Sequence, residues 1–265
     1  GYNTAIFCTL LRLSGLPNVI NMDGIEWQRA KWGAGPKAWF YLNEWAGAWL
    51  GNHLVADHPE IKVHLSRRTS PERITVIPYG AEDVRSADTA PVEALGLEPG
   101  KYLSVIARAE PENSLLEIVQ GFSRKPRGMK LAVLGKYEDG NAYHQAVKAA
   151  AGDEVMFLGA IYDKKVVQAL RFHSAAYVHG HQVGGTNPSL VEALGAGNAV
   201  IAHDNRFNRW VAGPGAAFAT QLDAILADPT RLDSMRKASR ERFLAEFQWE
   251  KILSEYETLL LKYQK

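Results

Sequence analysis

The sequence predicts an α/β protein with doubly wound parallel sheets, and two observations support this fold class. From about residue 18 onward, short apolar runs alternate with amphipathic helical stretches, which is the pattern of strand–helix–strand units. In the second part of the chain these runs are apolar at almost every position. Such runs are typical of parallel strands that helices cover on both faces.

Eight segments are predicted as strands. Three lie in the first part of the chain, at NVIN (18–21), HLVA (53–56) and RITVIP (73–78). Five lie in the second part, at YLSVIA (102–107), KLAVLG (130–135), VMFLG (155–159), AAYVHG (175–180) and AVIAH (199–203). One helix is predicted to begin at Pro36, a residue favoured in the first helical turn. The others are predicted at 113–123, 139–151, 163–172 and 188–196, and the chain after residue 220 is predicted to be helical.

The stretch from 82 to 100 is rich in acidic residues, Ala, Pro and Gly, and we interpret it as a linker. Two Rossmann-like domains are therefore predicted. Residues 1–95 form a partial N-terminal domain with the linker, residues 96–240 form a complete C-terminal domain, and 241–265 is a helix that returns to the first domain. Only three predicted strands precede the linker, whereas an average sheet has about five or six. The N-terminal domain is thus expected to be truncated.

The composition of the chain excludes several classes of protein and kinds of site. The 265 residues include 30 Lys plus Arg and 29 Asp plus Glu, so the formal charge of +1 gives no electrostatic support for a nucleic-acid partner. The one cysteine, Cys8, excludes a disulfide scaffold and a cysteine-built zinc site. No apolar run approaches the roughly 20 residues that span a bilayer, and the chain opens at Gly1 without a signal segment. A cytoplasmic setting is expected.

The stretch from His179 to Asp204 is predicted to run strand, glycine-bearing loop, helix, strand. Gly184 and Gly185 allow the backbone to approach a ligand closely, and Pro188 fits the first turn of the helix. A helix N-terminus with unpaired amides is a ready anion site. The amides concerned belong to Asn187, Ser189 and Leu190. The alternative is a plain strand–helix connection that binds nothing.

Glu192 follows within the first turn or so of this helix, where a carboxylate can accept the two adjacent hydroxyls of a ribose. Arg108 leaves the end of another predicted strand, at the edge where open α/β sheets bind ligands. There it can pair with phosphate oxygens, or alternatively with Glu110 or Glu112 on the surface. Tyr162 follows a third strand end and could line a base pocket or simply pack.

With this spacing, the three strand ends resemble the nucleotide-sugar domain of family 4 glycosyltransferases, whose GT-B fold places two Rossmann-like domains across a cleft. A bacterial branch associated with rhamnosyltransferases is similar over essentially the whole chain. The segments that carry this resemblance are NMDGIEWQRAKW (21–32), ADHPEI (56–61), ITVIPYGAE (74–82), EPEN (110–113), HQVGGTNPSLVEA (181–193) and IAHDNRFNR (201–209).

The resemblance implies roles for particular residues. Arg108 takes the pyrophosphate, Glu192 takes the ribose, and Asp23 faces the sugar or acceptor, so that Asp23 and Arg108 are the catalytic candidates. The loop after Gly159, with Tyr162, takes the base. The remaining candidates lie around the anion site: Asn113, Gly184, Gly185, Thr186, Asn187, Ser189 and Leu190.

Two positions depart from the pattern of the family. Asn113 stands where the family usually has Lys, and Gly184 stands where it usually has a Glu that contacts the donor sugar. The resemblance therefore does not fix the donor sugar, and weakened catalysis is one reading of the change at Gly184.

The predicted function is a retaining glycosyltransferase that moves a sugar, with rhamnose indicated by the branch, from a dTDP- or UDP-linked donor. The acceptor would be a saccharide or a lipid-linked oligosaccharide. The alternatives are a nucleotide-sugar epimerase of the GT-B fold and a non-catalytic nucleotide-sugar-binding subunit. Since the first domain is expected to be truncated, the chain alone is expected to bind donor without transferring sugar.

No cofactor and no metal are expected, because the sequence has no Asp-x-Asp pair to hold a cation on a diphosphate. His179 and His181 lack an evident third ligand for zinc, and Ser189 lacks the glycine-elbow context of a hydrolase nucleophile. The sequence GGTN is not the GxGxxG of a dinucleotide oxidoreductase.

Five of the seven tryptophans lie between residues 27 and 49. Trp45 and Trp49 are four residues apart and share a helix face. One interpretation is packing within the first domain. The other is a peripheral contact with a membrane or lipid-linked acceptor, which would put the protein at the inner face of the membrane.

Overall fold

A computed structural model describes residues 2–218 and 222–264. Within these residues the chain forms nine strands. They are β1 (Val19–Met22), β2 (His53–Ala56), β3 (Ile74–Val76), β4 (Tyr102–Ile106), β5 (Lys130–Leu134), β6 (Val155–Gly159), β7 (Ala176–His179), β8 (Val200–Ala202) and β9 (Ala217–Phe218). All eight predicted strands are present as β1 to β8, and β9 is an addition.

Twelve α-helices lie in the same described residues. They are α1 (Cys8–Leu13), α2 (Ala34–Leu50), α3 (Pro59–Leu65), α4 (Ala90–Glu93), α5 (Leu115–Ser123), α6 (Ala142–Ala149), α7 (Lys164–Phe172), α8 (Pro188–Gly195), α9 (Arg206–Ala212), α10 (Leu222–Leu226), α11 (Pro229–Glu246) and α12 (Trp249–Leu261). The four helices predicted in the second part of the chain correspond to α5 to α8. The helix predicted to begin at Pro36 begins two residues earlier, at Ala34.

The described residues divide into two compact units. Unit 1 contains residues 2–80, 183–187 and 249–264, and unit 2 contains 81–182, 188–218 and 222–248. These bounds differ from the predicted 1–95, 96–240 and 241–265. In the stretch interpreted as a linker, Val92 and Leu97 are buried in the core of unit 2. The stretch has weak periodicity because only these few apolar side chains anchor it.

Unit 1 is built on a parallel three-stranded sheet in the order β1-β2-β3. Every residue of the central strand β2 is buried. The C-terminal helix α12 packs through Ile252 and Leu259 against Val55 of β2 and against Ile77. The sheet of unit 1 is thereby covered by a helix from the other end of the chain.

A buried carboxylate organises the tryptophan-rich segment of unit 1. Glu44, on α2, accepts hydrogen bonds from the Trp27 indole N–H at 3.0 Å and from the His64 ring at 2.8 Å. It also forms an ion pair with Arg68, whose guanidinium lies 4.8 Å from the centre of the Trp45 ring. The side chain of Glu44 is fully buried, so these donors replace its lost hydration. We call these five side chains the Glu44 network.

Other apolar side chains of unit 1 are exposed. Trp39 and Trp49 on α2 are 44% and 64% exposed, and Phe7, Leu10 and Leu13 are also exposed. Trp49 still makes an edge contact with the ring of Trp45, at 5.3 Å between centroids. No helix within the described residues is both long enough and apolar enough to cross a bilayer.

Unit 2 is built on a parallel six-stranded sheet in the order β6-β5-β4-β7-β8-β9. The chain runs outward from β4 through β5 to β6, then returns to place β7 beside β4. The direction of winding therefore reverses between β4 and β7. In open α/β sheets this reversal is the switch point, and ligands bind in the crevice outside it.

Apolar cores cover both faces of this sheet. Leu103 of β4 packs with Phe122 of α5 in one core, whereas the neighbouring Tyr102 packs with Leu170 of α7 in another. Successive residues of a strand point to opposite faces, so the two cores lie on opposite sides of β4. The structure thus confirms the predicted doubly wound α/β fold class.

Candidate functional site

The loops that follow β4 and β7 meet at the switch point of unit 2. The Ser114 hydroxyl donates to the Gly180 carbonyl at 2.7 Å, and the backbone N–H of Gln182 donates to the Glu112 carbonyl at 2.9 Å. Ser114 has a φ of 52°, in the left-handed region that costs energy for a non-glycine residue. A Cβ on Gly180 would lie 2.2 Å from the Asn113 carbonyl oxygen, so only glycine permits this approach.

Asn113 joins the two loops from inside the protein. Its side-chain amide donates to the Arg108 carbonyl at 2.9 Å, and its side-chain oxygen lies 2.7 Å from the His181 ring nitrogen Nδ1. The side chain is buried, and both of its ends have protein partners. Asn113, which sequence patterns suggested as a ligand contact, therefore fixes the backbone that carries Arg108.

The Arg108 side chain is exposed at the carboxyl edge of β4. It enters none of the salt bridges found between residues of the described ranges, including the alternative pairing with Glu110. Its backbone is held by the bond from Asn113. The guanidinium is thus presented to solvent beside the switch point.

Helix α8 begins at Pro188 on the other side of this point, and its first turn is tightly anchored. The Ser189 hydroxyl donates to the Ile106 carbonyl at 3.1 Å and lies 2.7 Å from the Tyr177 hydroxyl. The Leu190 side chain is fully buried. Both side chains are therefore engaged within the protein, and the predicted anion site would use only the backbone amides of Ser189 and Leu190.

Arg171 orients the Glu192 carboxylate. The Arg171 guanidinium contacts Glu192 at 2.6 Å and the Ser189 hydroxyl at 3.0 Å. The arginine side chain is 6% exposed, whereas that of Glu192 is 47% exposed. A buried cation thus holds a solvent-facing carboxylate on the exposed side of α8. Sequence patterns missed Arg171, although an arginine among the apolar residues of α7 is a detectable signal.

Gly159 and Tyr162 follow β6, which lies two strands from β4 in the sheet. Gly159 has a φ of +70°, which explains the glycine. Tyr162 is 89% exposed, so it does not pack in the core. The next residue, Asp163, caps α7 by accepting from the amides of Lys165 and Val166. Hydrogen bonds thus link Asn113 to the backbone of Arg108, and Arg171 links Ser189 to Glu192, whereas the predicted base loop lies two strands away from β4.

The segment Val183–Asn187, which we call the glycine loop, belongs to unit 1 by its packing. The Asp57 carboxylate, at the end of β2, accepts the Thr186 amide N–H at 2.9 Å, and the Thr186 hydroxyl donates to the Asp57 carbonyl. A Cβ on Gly24 would lie 3.3 Å from the Gly184 carbonyl. Gly184, Gly185 and Thr186 therefore lie against the ends of β1 and β2.

Three polar side chains follow the three strands of unit 1, namely Asp23 after β1, Asp57 after β2 and Tyr79 after β3. The pKa of the Asp57 carboxyl is raised to about 7, mainly by burial and also by the charge of Asp23, although the Thr186 and Gly24 amides lower it. Burial also raises the pKa of the Tyr79 hydroxyl, with contributions from both carboxylates. The predicted residue Asp23 thus lies within the electrostatic reach of a second, more buried carboxylate.

His179 and His181 have their rings 6.0 Å apart. Burial lowers the pKa of His179 to about 3, so this ring is neutral, and His181 is engaged by Asn113. Among the described residues, no group of three or more His, Cys, Asp and Glu side chains is arranged to hold a metal ion.

A cavity of about 930 Å³ in unit 2 borders the junction of the loops that follow β4 and β7, since Ser114, Gly180 and Gln182 line it together with residues that include Phe122 and Arg124. None of the predicted site residues lines it. The cavity is therefore a second candidate place for a ligand, and replacing Arg124, which lines the cavity, distinguishes it from the arrangement around Arg108 and α8.

The strand order of unit 2, with a second parallel sheet in unit 1, agrees with the GT-B fold. Solved structures of that class match the chain. Sucrose-phosphate synthase from Thermosynechococcus elongatus superposes with a TM-score of 0.79 and 18% identity over 92% of this chain and 67% of its own. HepE from Anabaena in complex with UDP superposes with a TM-score of 0.82 and 13% identity, over 99% of this chain and 77% of its own. TarM superposes with a TM-score of 0.71 and 13% identity, over 94% of this chain and 50% of its own.

No model of a known protein family matches the sequence. No curated protein matches it in sequence either. The solved structures therefore establish the fold, and the chemistry must be argued from the site.

Proposed function

We propose that this chain is a retaining glycosyltransferase of family 4, acting on a nucleotide-diphosphate sugar. The observation that carries the proposal is the arrangement at the switch point. The first turn of α8 is bonded through Ser189 to Ile106, two residues before exposed Arg108, and Arg171 holds Glu192 toward solvent. Cations and helix amides suit a diphosphate, and a fixed carboxylate suits ribose hydroxyls. Structures of HepE with UDP and with UDP-glucose share the fold.

In this proposal the protein positions the donor and stabilises charge. As the glycosidic bond breaks, negative charge develops on the departing diphosphate. Arg108 and the amides at the start of α8 would neutralise that charge without reorganisation, because Asn113 and Ser189 already fix their backbones. Asp23 is proposed to face the sugar or acceptor, and Gly159 and Tyr162 the base. The proposed donor is dTDP- or UDP-linked rhamnose, and the proposed acceptor is a saccharide or lipid-linked oligosaccharide.

The test is turnover of dTDP-rhamnose and UDP-sugars by the purified protein, measured as released nucleotide diphosphate and as sugar product. Transfer or slow donor hydrolysis supports the proposal. A changed sugar without acceptor would indicate an epimerase. Binding with neither transfer nor donor hydrolysis would indicate a non-catalytic binding subunit, whereas hydrolysis without transfer is the result expected of this chain alone.

Replacing Arg108 with alanine should weaken the binding of UDP and dTDP by about 1.5–3 kcal/mol, the range of a charge-assisted hydrogen bond. This corresponds to a rise in Kd of about 10- to 150-fold. The measurement is isothermal titration calorimetry, with Arg124→Ala as the matched control in the neighbouring cavity. Loss of binding in Arg124→Ala, with normal binding in Arg108→Ala, would move the site to that cavity.

Replacing Glu192 with alanine should weaken UDP more than dTDP. The ribose of UDP offers the carboxylate two adjacent hydroxyls, whereas the deoxyribose of dTDP offers one. The extra loss for UDP should be about tenfold, the effect of one hydrogen bond to a charged group. Glu98→Ala, which removes an exposed carboxylate paired with Lys101, serves as the control. Equal losses for the two nucleotides would show that Glu192 does not contact the sugar.

A further inference from the structure

We propose that Asp57 is a positioning residue that fixes the glycine loop and, through it, the affinity for the nucleotide diphosphate. The inference rests on the proposed function, since the glycine loop leads directly into Pro188, the first residue of α8. The catalytic candidates from the sequence do not include Asp57. It is a buried titratable group to which the proposed mechanism gives no part.

Two hydrogen bonds tie Asp57 to Thr186. The Asp57 carboxylate accepts the Thr186 amide N–H at 2.9 Å through Oδ2, and its backbone carbonyl accepts the Thr186 hydroxyl. Both Asp57 and Thr186 are 3% exposed. The side chain of Asp57 thus binds the backbone of Thr186, and the side chain of Thr186 binds the backbone of Asp57. These two bonds define the conformation of the glycine loop two residues before α8.

The same carboxylate lies too close to Gly185 for any side chain to fit there. Its φ is +102°, in the region that favours glycine, and a Cβ there would lie 2.6 Å from Asp57 Oδ2. The loop therefore closes onto Asp57 only because residue 185 has no side chain. The sequence suggests that Gly185 allows a ligand to approach the backbone closely. In the structure, the group that approaches Gly185 closely is the Asp57 carboxylate.

The two carboxylate oxygens of Asp57 differ in their surroundings. Its Oδ1 has no hydrogen-bond partner within residues 2–218 and 222–264, and burial places its pKa at about 7. The titratable groups that face it are Asp23 after β1, Tyr79 after β3 and Tyr256 of α12. A buried carboxylate with one unpartnered oxygen costs stability. Residues with such a cost are often retained for function.

The test compares Asp57→Ala with the isosteric Asp57→Asn, in which the side-chain oxygen can still accept the Thr186 amide. Binding of UDP and dTDP is measured by calorimetry, and amide exchange of residues 183–190 is followed by mass spectrometry. Asp153→Ala, at an exposed position, is the matched control. We expect Asp57→Ala to raise the exchange of the loop and to raise Kd at least tenfold. Asp57→Asn should stay within about threefold of wild type at pH 8.

Two readouts separate positioning from general damage. Asp57→Ala should bind more weakly although the thermal stability of the protein at pH 8 is not lowered. The wild type should also bind more tightly at pH 8 than at pH 6, because an ionised carboxylate is the stronger acceptor. Asp57→Asn in the same buffers should show a flatter profile, which corrects for titration of the nucleotide itself.

Unchanged exchange in Asp57→Ala would overturn the inference. Faster exchange with unchanged affinity would overturn the link between the loop and the ligand. If the wild type binds neither nucleotide, the proposed function fails, and the exchange data still decide whether Asp57 fixes the loop.

Discussion

Replacing Glu44 with alanine is expected to lower the free energy of unfolding of unit 1 by about 3–5 kcal/mol, the cost of leaving a buried charge without its partner. Glu44 is fully buried and Arg68 is 8% exposed. Without the carboxylate, Arg68 has no counter-charge within the Glu44 network, and the indole N–H of Trp27 loses its acceptor. Unit 1 should therefore unfold at a lower denaturant concentration.

The tryptophans make this measurement selective. Six of the seven tryptophans lie in unit 1, and Trp210 lies in unit 2, so tryptophan fluorescence in a urea titration reports mainly on unit 1. Glu98→Ala breaks an exposed pair with Lys101 and should have little effect. The double replacement Glu44→Leu with Arg68→Leu should recover much of the loss, since no charge is then left unpaired. A loss below about 1 kcal/mol in Glu44→Ala would show that the network adds little to stability.

The second large effect concerns pH. The stability of the wild type should fall as the pH rises from 5 to 8, whereas that of Asp57→Asn should change less. In this range the folded state retains the Asp57 proton, since its pKa is raised to about 7, while the unfolded chain has already lost it, near pH 3.9. The unfolded state therefore binds fewer protons, and the free energy of unfolding decreases with pH.

The difference between the two proteins should change by roughly 2–3 kcal/mol between pH 5 and pH 8, and should level off above pH 8. Urea titrations of both proteins at four pH values provide the measurement. Taking the difference removes contributions from every group that the two proteins share. Parallel curves for the two proteins would show that Asp57 titrates normally.

Strands β1 to β8 are predictable because each one is a short, mainly apolar run. The strand β9 is not predictable, because a two-residue strand has no periodicity. Val92 and Leu97 illustrate a second limit. Their neighbours are turn-forming and acidic, so local composition indicates a linker even though both side chains reach the core of unit 2.

The candidate site shows a similar division. A strand end can be predicted from the chain, so Arg108 could be placed at a sheet edge without coordinates. The partners of Asn113 and Thr186 could not be predicted from the chain. The bond from Asn113 to His181 spans 68 positions, and the bond from Thr186 to Asp57 spans 129. A signal for Asp57 does exist, since it is a carboxylate directly after the apolar run of β2.

The packing of the glycine loop in unit 1 also bears on how the protein folds. Its contact with Asp57 closes a loop of 129 residues, and such distant contacts form late because chain closure costs entropy before any contact offsets it. The chain leaves unit 2 at Val183 and re-enters it at Pro188. Unit 2 can thus form its sheet first, but the segment that leads into α8 reaches its final conformation only after β2 has formed. The gain of nucleotide affinity during refolding should accordingly be the last step, slower than the recovery of secondary structure.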